Sequence, residues 1–297
     1  MNKIIDIHFI INPIAGSGNT ILSESFLEFF FPRKRYKIKV KPSQYKGNSI
    51  LLTQRSIQEG ADIIVACGGD GTVNEVASTL IGSDIPLGII PIGSGNGLAS
   101  NLKIPKNIEA AIAAIKTSKI EKIDVGCLNE HYFFSNTGFG FDASVIKYYE
   151  ASEKRTLLRY LKASIKSFQH YHKQNEVRMT VDGNPEIVNP FLIFISNSNE
   201  LGYNVSLTPK ASLQDGLLDV VVVPQISKLK MMLFGVLVFF NKHSLLKEVN
   251  CFQTAKMTIS RGHGDYFQSQ LDGEFFKIEE KTVQISIKPK SLLVIVL

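Results

Sequence analysis

Cysteine is scarce in this chain. Cys67, Cys127 and Cys251 stand alone, an odd number without C-x-x-C spacing. That excludes a disulfide framework and a cysteine zinc site, and it suits a reducing cytoplasm. The histidines are scattered, with no metal-ligand spacing. Long apolar runs are missing as well. Met231–Phe240 is far short of the roughly 20 residues that span a bilayer. The N-terminal MNKIIDIHFIINP carries Asp6 and His8 inside its apolar stretch and runs into Asn-Pro, so it reads as a first strand and not a signal peptide. A cytoplasmic protein is expected, with peripheral membrane contact left open. There is no internal repeat, no low-complexity tract, and no nucleic-acid motif or aromatic-basic platform, so nucleic acid is not an expected partner.

What is present fits an ordinary globular chain of 297 residues, 44% apolar and 20% charged, comfortable for two domains. A formal charge of +6 suits an anionic partner without choosing among them. The most informative stretch is ADIIVACGGDGTVNEVASTL at 61–80. An apolar, β-branched run stops at Gly68-Gly69-Asp70-Gly71 and restarts with Val73, Val76, Ala77 and Leu80 at helical spacing. Thr72 is placed as N-cap, with Glu75 completing a capping box. A strand, a glycine turn and a helix N-terminus together present backbone N–H groups and a positive dipole end to an anion, most often a phosphate. A carboxylate inside such a turn is reasonable if Mg²⁺ lies between Asp70 and the phosphates.

Strands and helices alternate over the first 120 or so residues, with Asn107 as the N-cap of the last helix, which implies a mostly parallel, Rossmann-like α/β sheet. Ligands bind outside the carboxyl ends of such strands. Three loops there have suitable composition: 12–18 (NPIAGSG), the Gly68–Thr72 turn, and Gly93-Ser94-Gly95-Asn96-Gly97. From about residue 123 strand-like segments dominate, one hairpin being signalled by Asp182-Gly183-Asn184. The expected division is an α/β domain over 1–122 and a mainly antiparallel β-sandwich over 123–297. The substrate cleft is expected between them, and the extreme C-terminus may pack back on the first domain.

NPIAGSG at 12–18, GGDGTVNEV at 68–76, GSGN at 93–96, SLQDGLLD at 212–219 and LDGE at 271–274 resemble the motifs of the diacylglycerol kinase-like lipid kinases. That family includes bacterial lipid kinases and the sphingosine and ceramide kinases. The resemblance implies transfer of the γ-phosphoryl group of ATP, with Mg²⁺, to a hydroxyl of a lipid substrate at the membrane surface. It implies that Asn12, Pro13, Ile14, Ala15 and Gly16 line the ATP, together with Gly68, Gly69, Asp70, Gly71, Thr72, Val73, Asn74 and Glu75. Ser43 matches a position near the adenine, and Gly93, Ser94, Gly95 and Asn96 belong to the loop facing the phosphates. Asp70 would organise Mg²⁺, and Asp272 and Glu274 are the candidates for activating the acceptor. They share a strand face provided the turn at Gly273 does not break the pleat. A structural Mg²⁺ would be held by Asp215 and the carbonyls of Ser212 and Leu217. Asn96 is followed by Gly97-Leu98-Ala99, a form closer to the sphingosine and ceramide kinase loop than to the Asn-Asp-aromatic of bacterial diacylglycerol kinases. The acceptor therefore stays open between diacylglycerol-like and sphingoid-like lipids.

Plainer readings compete at several positions. The capping box accounts for Glu75 without nucleotide, and Asp-Gly at 272–273 and 215–216 is an ordinary turn signal. Six basic residues between Arg33 and Lys41 read as a solvated face. The helix near 151–172 carries Leu158, Leu161, Ile165 and Phe168 on one side, ringed by Lys154, Arg155, Arg159, Lys162 and Lys166. Burial against the β domain is the favoured reading of that stripe and of Met231–Phe240, and rest on an anionic membrane is the alternative. Rival functions are an NAD kinase, which shares GGDGT, and a nucleotide-binding sensor without catalysis. Oligomeric state stays open, a homodimer included.

Overall fold

The computed structural model describes residues 3–16, 22–93, 96–117, 119–152, 156–199, 206–264 and 266–297. Ser17 and Gly18 of the first loop, Ser94 and Gly95 of the third, and Lys154 and Arg155 lie outside these. The chain divides into two compact units, Met1–Ile123 with Lys290–Leu297, and Asp124–Pro289.

The first unit runs β1 (Ile5–Ile11), α1 (Glu24–Phe30), β2 (Tyr36–Pro42), α2 (Asn48–Gln58), β3 (Ile63–Gly68), α3 (Asp70–Leu80), β4 (Leu87–Pro91), α4 (Gly97–Asn101) and α5 (Ile108–Thr117). The strands are parallel in the order β2-β1-β3-β4. β3 is buried along its whole length, as expected of a strand covered by helices on both faces. α3 lays Val73, Val76, Ala77 and Leu80 into the core, the face its periodicity specifies. Asn107 caps α5 by accepting the Ala110 N–H at 2.9 Å. The basic stretch before α2 is ion-paired: Lys37 reaches Asp6, while Lys39 and Lys41 both reach Glu59 and hold its carboxyl down at about 2.

The second unit contains β5 (Lys119–Leu128), whose first residues still belong to the first unit, then β6 (His131–Phe133), β7 (Asn136–Gly140), α6 (Phe141–Glu150), α7 (Leu157–Gln169), β8 (Val177–Val181), β9 (Asn184–Val188) and β10 (Pro190–Ser196). β11 (Leu218–Pro224), α8 (Lys228–Phe239), β12 (Asn250–Thr254), β13 (Lys256–Arg261), β14 (Phe267–Leu271), β15 (Glu274–Ile278) and β16 (Thr282–Val296) follow. One antiparallel sheet runs β12-β11-β10-β7-β14-β15. Its alternate residues feed two cores. Ile193, Ile195, Val220 and Val222 meet Met257, Ile259, Val283 and Ile285 of β13 and β16, which is the sandwich interior. Leu192, Phe194, Val221 and Val223 face the other way, onto Met231 and Phe234 of α8, Phe168 of α7 and Phe141 of α6. The β8–β9 hairpin turns at Asp182-Gly183, both at positive φ, as its sequence signal requires. The end of β16 returns to the first unit, where Val294 pairs with Leu87 of β4.

The apolar stripe of α7 is not buried as its periodicity suggested. Leu158, Leu161 and Ile165 are exposed, and the inward residues are Ala163 and Ser167. Those small side chains let α7 lie close against Val145 and Tyr149 of α6, and the bulky face is left outside. Met231–Phe240 divides similarly, with Met231 and Phe234 buried and most of the rest exposed.

Candidate active site

The loops after β1, β2, β3 and β4 are stitched together by main-chain hydrogen bonds. Ser43 N–H donates to Ile11 O at 2.7 Å, Asn12 N–H to Cys67 O at 2.9 Å, and Ile92 N–H to Gly68 O at 2.9 Å. Asn12 adds its side chain: Nδ2 donates to Thr72 Oγ1 at 3.2 Å, and Oδ1 accepts the Ile14 N–H at 3.1 Å. Gly69 and Gly93 meet main chain to main chain. A Cβ on Gly93 would collide with the Gly69 Cα, so no other residue fits there without moving a loop.

The capping box does not form. α3 begins at Asp70, two residues before the expected cap, with Gly69 as an N-cap that has no side chain to offer. Thr72 is buried and bonded to Asn12. Glu75 turns across to α2, where its two oxygens accept the N–H groups of Gly47 and Ser49 at 2.8 and 3.2 Å. It caps a helix whose own N-cap, Gly47, lacks a side chain. Val73 points into the core, so only its main chain could meet a ligand, and Asn74 Oδ1 accepts the Ser78 hydroxyl at 3.2 Å. Asp70 ties the second loop to the third: its carboxylate accepts Asn96 N–H at 2.9 Å and Gly97 N–H at 2.5 Å.

The residues present fit a metal-bound polyphosphate. The close glycine contact leaves main chain bare, and the N-terminus of α3 opens at it. Asn96, at φ +59°, is buried, and its Oδ1 has no hydrogen-bond partner among the described residues. A buried acceptor without a donor is costly and suits a cation or a ligand N–H.

In the second unit, Asp272 and Gly273 are the two central residues of the β14–β15 turn, at φ +48° and +80°, with Leu271 paired to Glu274. The turn breaks the pleat, so Asp272 and Glu274 do not share a strand face; the Asp-Gly pair takes the hairpin geometry its chemistry favours. The Asp272 carboxylate accepts three amides, Phe134 at 2.9 Å, Ser135 at 2.7 Å and Asn136 at 3.1 Å. Glu274 opens β15 and is half-buried.

Asp142, on α6, went unnoticed in the sequence. It is buried, and Gln270 Nε2 donates to its Oδ2 at 2.9 Å and to Asn136 Oδ1 at 2.7 Å. Gln270 Oε1 in turn accepts the Gly273 N–H at 2.9 Å, joining Asp142 to the turn. Burial pushes the Asp142 carboxyl up to about 6, against the pull of the Gln270 amide. The local pattern did offer a signal, since Asp142 falls with Val145, Ile146 and Tyr149 at i, i+3, i+4 and i+7 on the buried face of α6. Asp215 Oδ1 accepts the Leu217 N–H at 3.1 Å and Oδ2 the Gln253 amide at 3.4 Å, an Asx turn. Ser212 Oγ accepts the Gln214 N–H. Asp124, also missed, accepts Gly216 N–H at 2.7 Å and anchors the same segment. No group of three or more His, Cys, Asp or Glu side chains among the described residues could hold a metal, so an ion here would depend on carbonyls beside Asp215.

This architecture defines a class: a glycine-loop α/β unit followed by an antiparallel sandwich. Residues 6–128 match the diacylglycerol kinase catalytic domain, and residues 135–296 match the YegS C-terminal NAD kinase beta sandwich-like domain. The chain belongs to the diacylglycerol kinase-like lipid kinase family. It is 29% identical over 194 residues to diacylglycerol kinases of Staphylococcus aureus strains JH9 and Newman, an alignment covering 63% of this chain and 61% of each relative. The match thus spans less than two thirds of those relatives' length. A solved structure from Bacillus anthracis str. Sterne superposes over 100% of this chain and 99% of its own, with TM-score 0.79 and 22% identity. A diacylglycerol kinase from the same organism gives 0.71 and 20%, over 100% and 98%. At such identity these likenesses speak for the fold.

Proposed function

We propose that the protein is an ATP- and Mg²⁺-dependent lipid kinase. The observation that carries this reading is the Gly69–Gly93 contact, which bares main chain beside the N-terminus of α3. In this reading the N–H groups of that turn and helix hold the phosphates, while Asn12–Gly16 and Ser43 line the nucleotide. Mg²⁺ would neutralise phosphate charge, and Asp70 and Asn96 Oδ1 are the side chains that would help to hold it. The acceptor hydroxyl oxygen bonds to the γ-phosphorus as the bond to the β–γ bridging oxygen breaks, releasing ADP. Three amides already occupy Asp272, so its part is to hold the turn, and the hydroxyl proton passes to Glu274.

Labelled ATP offered to a panel of diacylglycerol-like and sphingoid-like lipids tests this. Label is expected in the chloroform phase. The NAD kinase likeness named for residues 135–296 supports a second reading, and label appearing instead in an aqueous dinucleotide would establish it. Glu274→Gln is expected to lower turnover by about a hundredfold or more with folding intact. Near-normal turnover in that variant would remove Glu274 from the mechanism.

A further inference from the structure

Glu274 opens β15, which lies at the edge of its sheet beside β14. The strand ladder holds an edge residue from one side, so the turn before Glu274 decides how firmly it is placed. Asp272 is tied down by the three amides its carboxylate accepts, and its own N–H donates to Asn136 O at 2.9 Å. Gly273 is held by a side chain instead: its N–H donates to Gln270 Oε1 at 2.9 Å. Past Glu274, the Phe275 N–H donates to Glu150 Oε1 at 2.9 Å. The main chain is therefore gripped on both sides of Glu274, and on the turn side the grip runs through Gln270.

A buried primary amide can sit either way round, and only one way presents its oxygen to Gly273. Gln270 is 1% exposed, and its nitrogen donates to two acceptors, Asn136 Oδ1 at 2.7 Å and Asp142 Oδ2 at 2.9 Å. Asn136 is itself an amide and can turn with its partner. An ionised carboxylate only accepts, so Asp142 is the member of the set that forces the Gln270 nitrogen toward α6 and its oxygen toward the turn. β7 leaves room for this, because a Cβ at Gly138 would collide with Asp142 Oδ2. Burial raises the Asp142 carboxyl to about 6, which is the cost of keeping a charge there. An apolar side chain would escape that cost and leave the amide free to turn.

We propose that Gln270 is a positioning residue for Glu274, oriented by Asp142 and holding the turn through the Gly273 amide. This rests on Glu274 as the proton acceptor of the kinase reading. Gln270 and Asp142 are both buried, so they act through the turn and not on the acceptor lipid. The full chain is assayed at about pH 8, where Asp142 is ionised. Gln270→Leu is expected to lower kcat for lipid phosphorylation on the order of tenfold to a hundredfold, the scale of a misplacement of about 1 Å, with KM for ATP within about twofold of wild type. The double variant Gln270→Leu, Glu274→Gln is expected to be no slower than Glu274→Gln alone, because the effect passes only through Glu274. Gln270→Leu strips a buried carboxylate of its donor, so a second pair of variants guards against misfolding. Asp142→Leu is expected to lower kcat by about tenfold, and Asp142→Asn, which keeps an oxygen for Gln270, to recover most of that loss. Unchanged kcat in either Gln270→Leu or Asp142→Leu overturns the proposal. So does full additivity in the double variant, which would make Gln270 an ordinary core residue. A wild type that phosphorylates no lipid brings down the kinase reading and this role together, whereas an active wild type with unaffected variants brings down this role alone.

Discussion

At the residue scale, the carboxylates of this chain act first on their own backbone. A carboxylate in a glycine turn needs a reason, which singles out Asp70 in the sequence, yet its bonds to Asn96 and Gly97 could not be read from a turn 26 residues away. They change what a substitution should do. Asp70→Asn sets an NH₂ group against a backbone N–H, so a loss of about 1–3 kcal/mol in stability is expected beside the loss of activity, measured by urea unfolding. Asp142 makes a cleaner case. Its carboxyl moves from an ordinary 3.8 unfolded to about 6 folded, so the native state binds more protons between those values. Stability from this group is therefore highest below pH 3.8, falls as pH rises through 3.8 to 6, and stays reduced above it. Asp142→Asn keeps an oxygen for Gln270 and removes that loss. The variant should match wild type near pH 4 and exceed it by about 3 kcal/mol at pH 7. Parallel stability curves across that range would show that Asp142 does not titrate there.

At the scale of elements, period and turn chemistry were informative where one face alone decides burial. The strand, glycine turn and helix at 61–80 follow from β-branched residues, glycine and helical spacing, and the β8–β9 hairpin follows from Asp182-Gly183. Two of the misreadings share a physical cause, a partner on another helix, and the third is local turn chemistry. Glu75 fits a capping box locally, but α2 offers two uncapped N–H groups and α3 has already started at Asp70. The stripe on α7 has the spacing of a buried face, but Ala163 and Ser167 permit a closer approach to α6 than leucine would. Asp272 and Glu274 look like neighbours on one strand, whereas two residues at positive φ send the chain back on itself between them. Periodicity identifies an apolar face. It does not say whether protein, lipid or another copy covers that face.

At the scale of the whole chain, the first unit is not made from contiguous sequence. Its sheet takes β1 to β4 from the start of the chain and its last strand segment from Lys290–Leu297. In that segment Leu292, Val294, Ile295 and Val296 are all buried, and Val294 lies beside Leu87 of β4. Burying four such side chains contributes about 6–12 kcal/mol by area bookkeeping. That is comparable to the whole stability of an average domain, about 5–15 kcal/mol. A cut after Ile123 would also leave β4 as an unpaired edge with apolar residues on both faces, a template for aggregation. Residues 1–123 alone are therefore expected to be insoluble or to unfold without a cooperative transition. Residues 1–123 joined to 290–297 by a flexible linker are expected to recover one, followed by thermal circular dichroism. A cooperative, soluble 1–123 fragment would show that the four buried residues of β16 contribute far less than their area implies. The C-terminal run Leu292–Leu297 is continuously apolar, the pattern of a strand covered on both faces. That pattern alone does not say which sheet it joins, so packing back on the first domain stands in the sequence only as one option. Its placement is set by the empty edge of β4, more than 190 residues earlier in the chain.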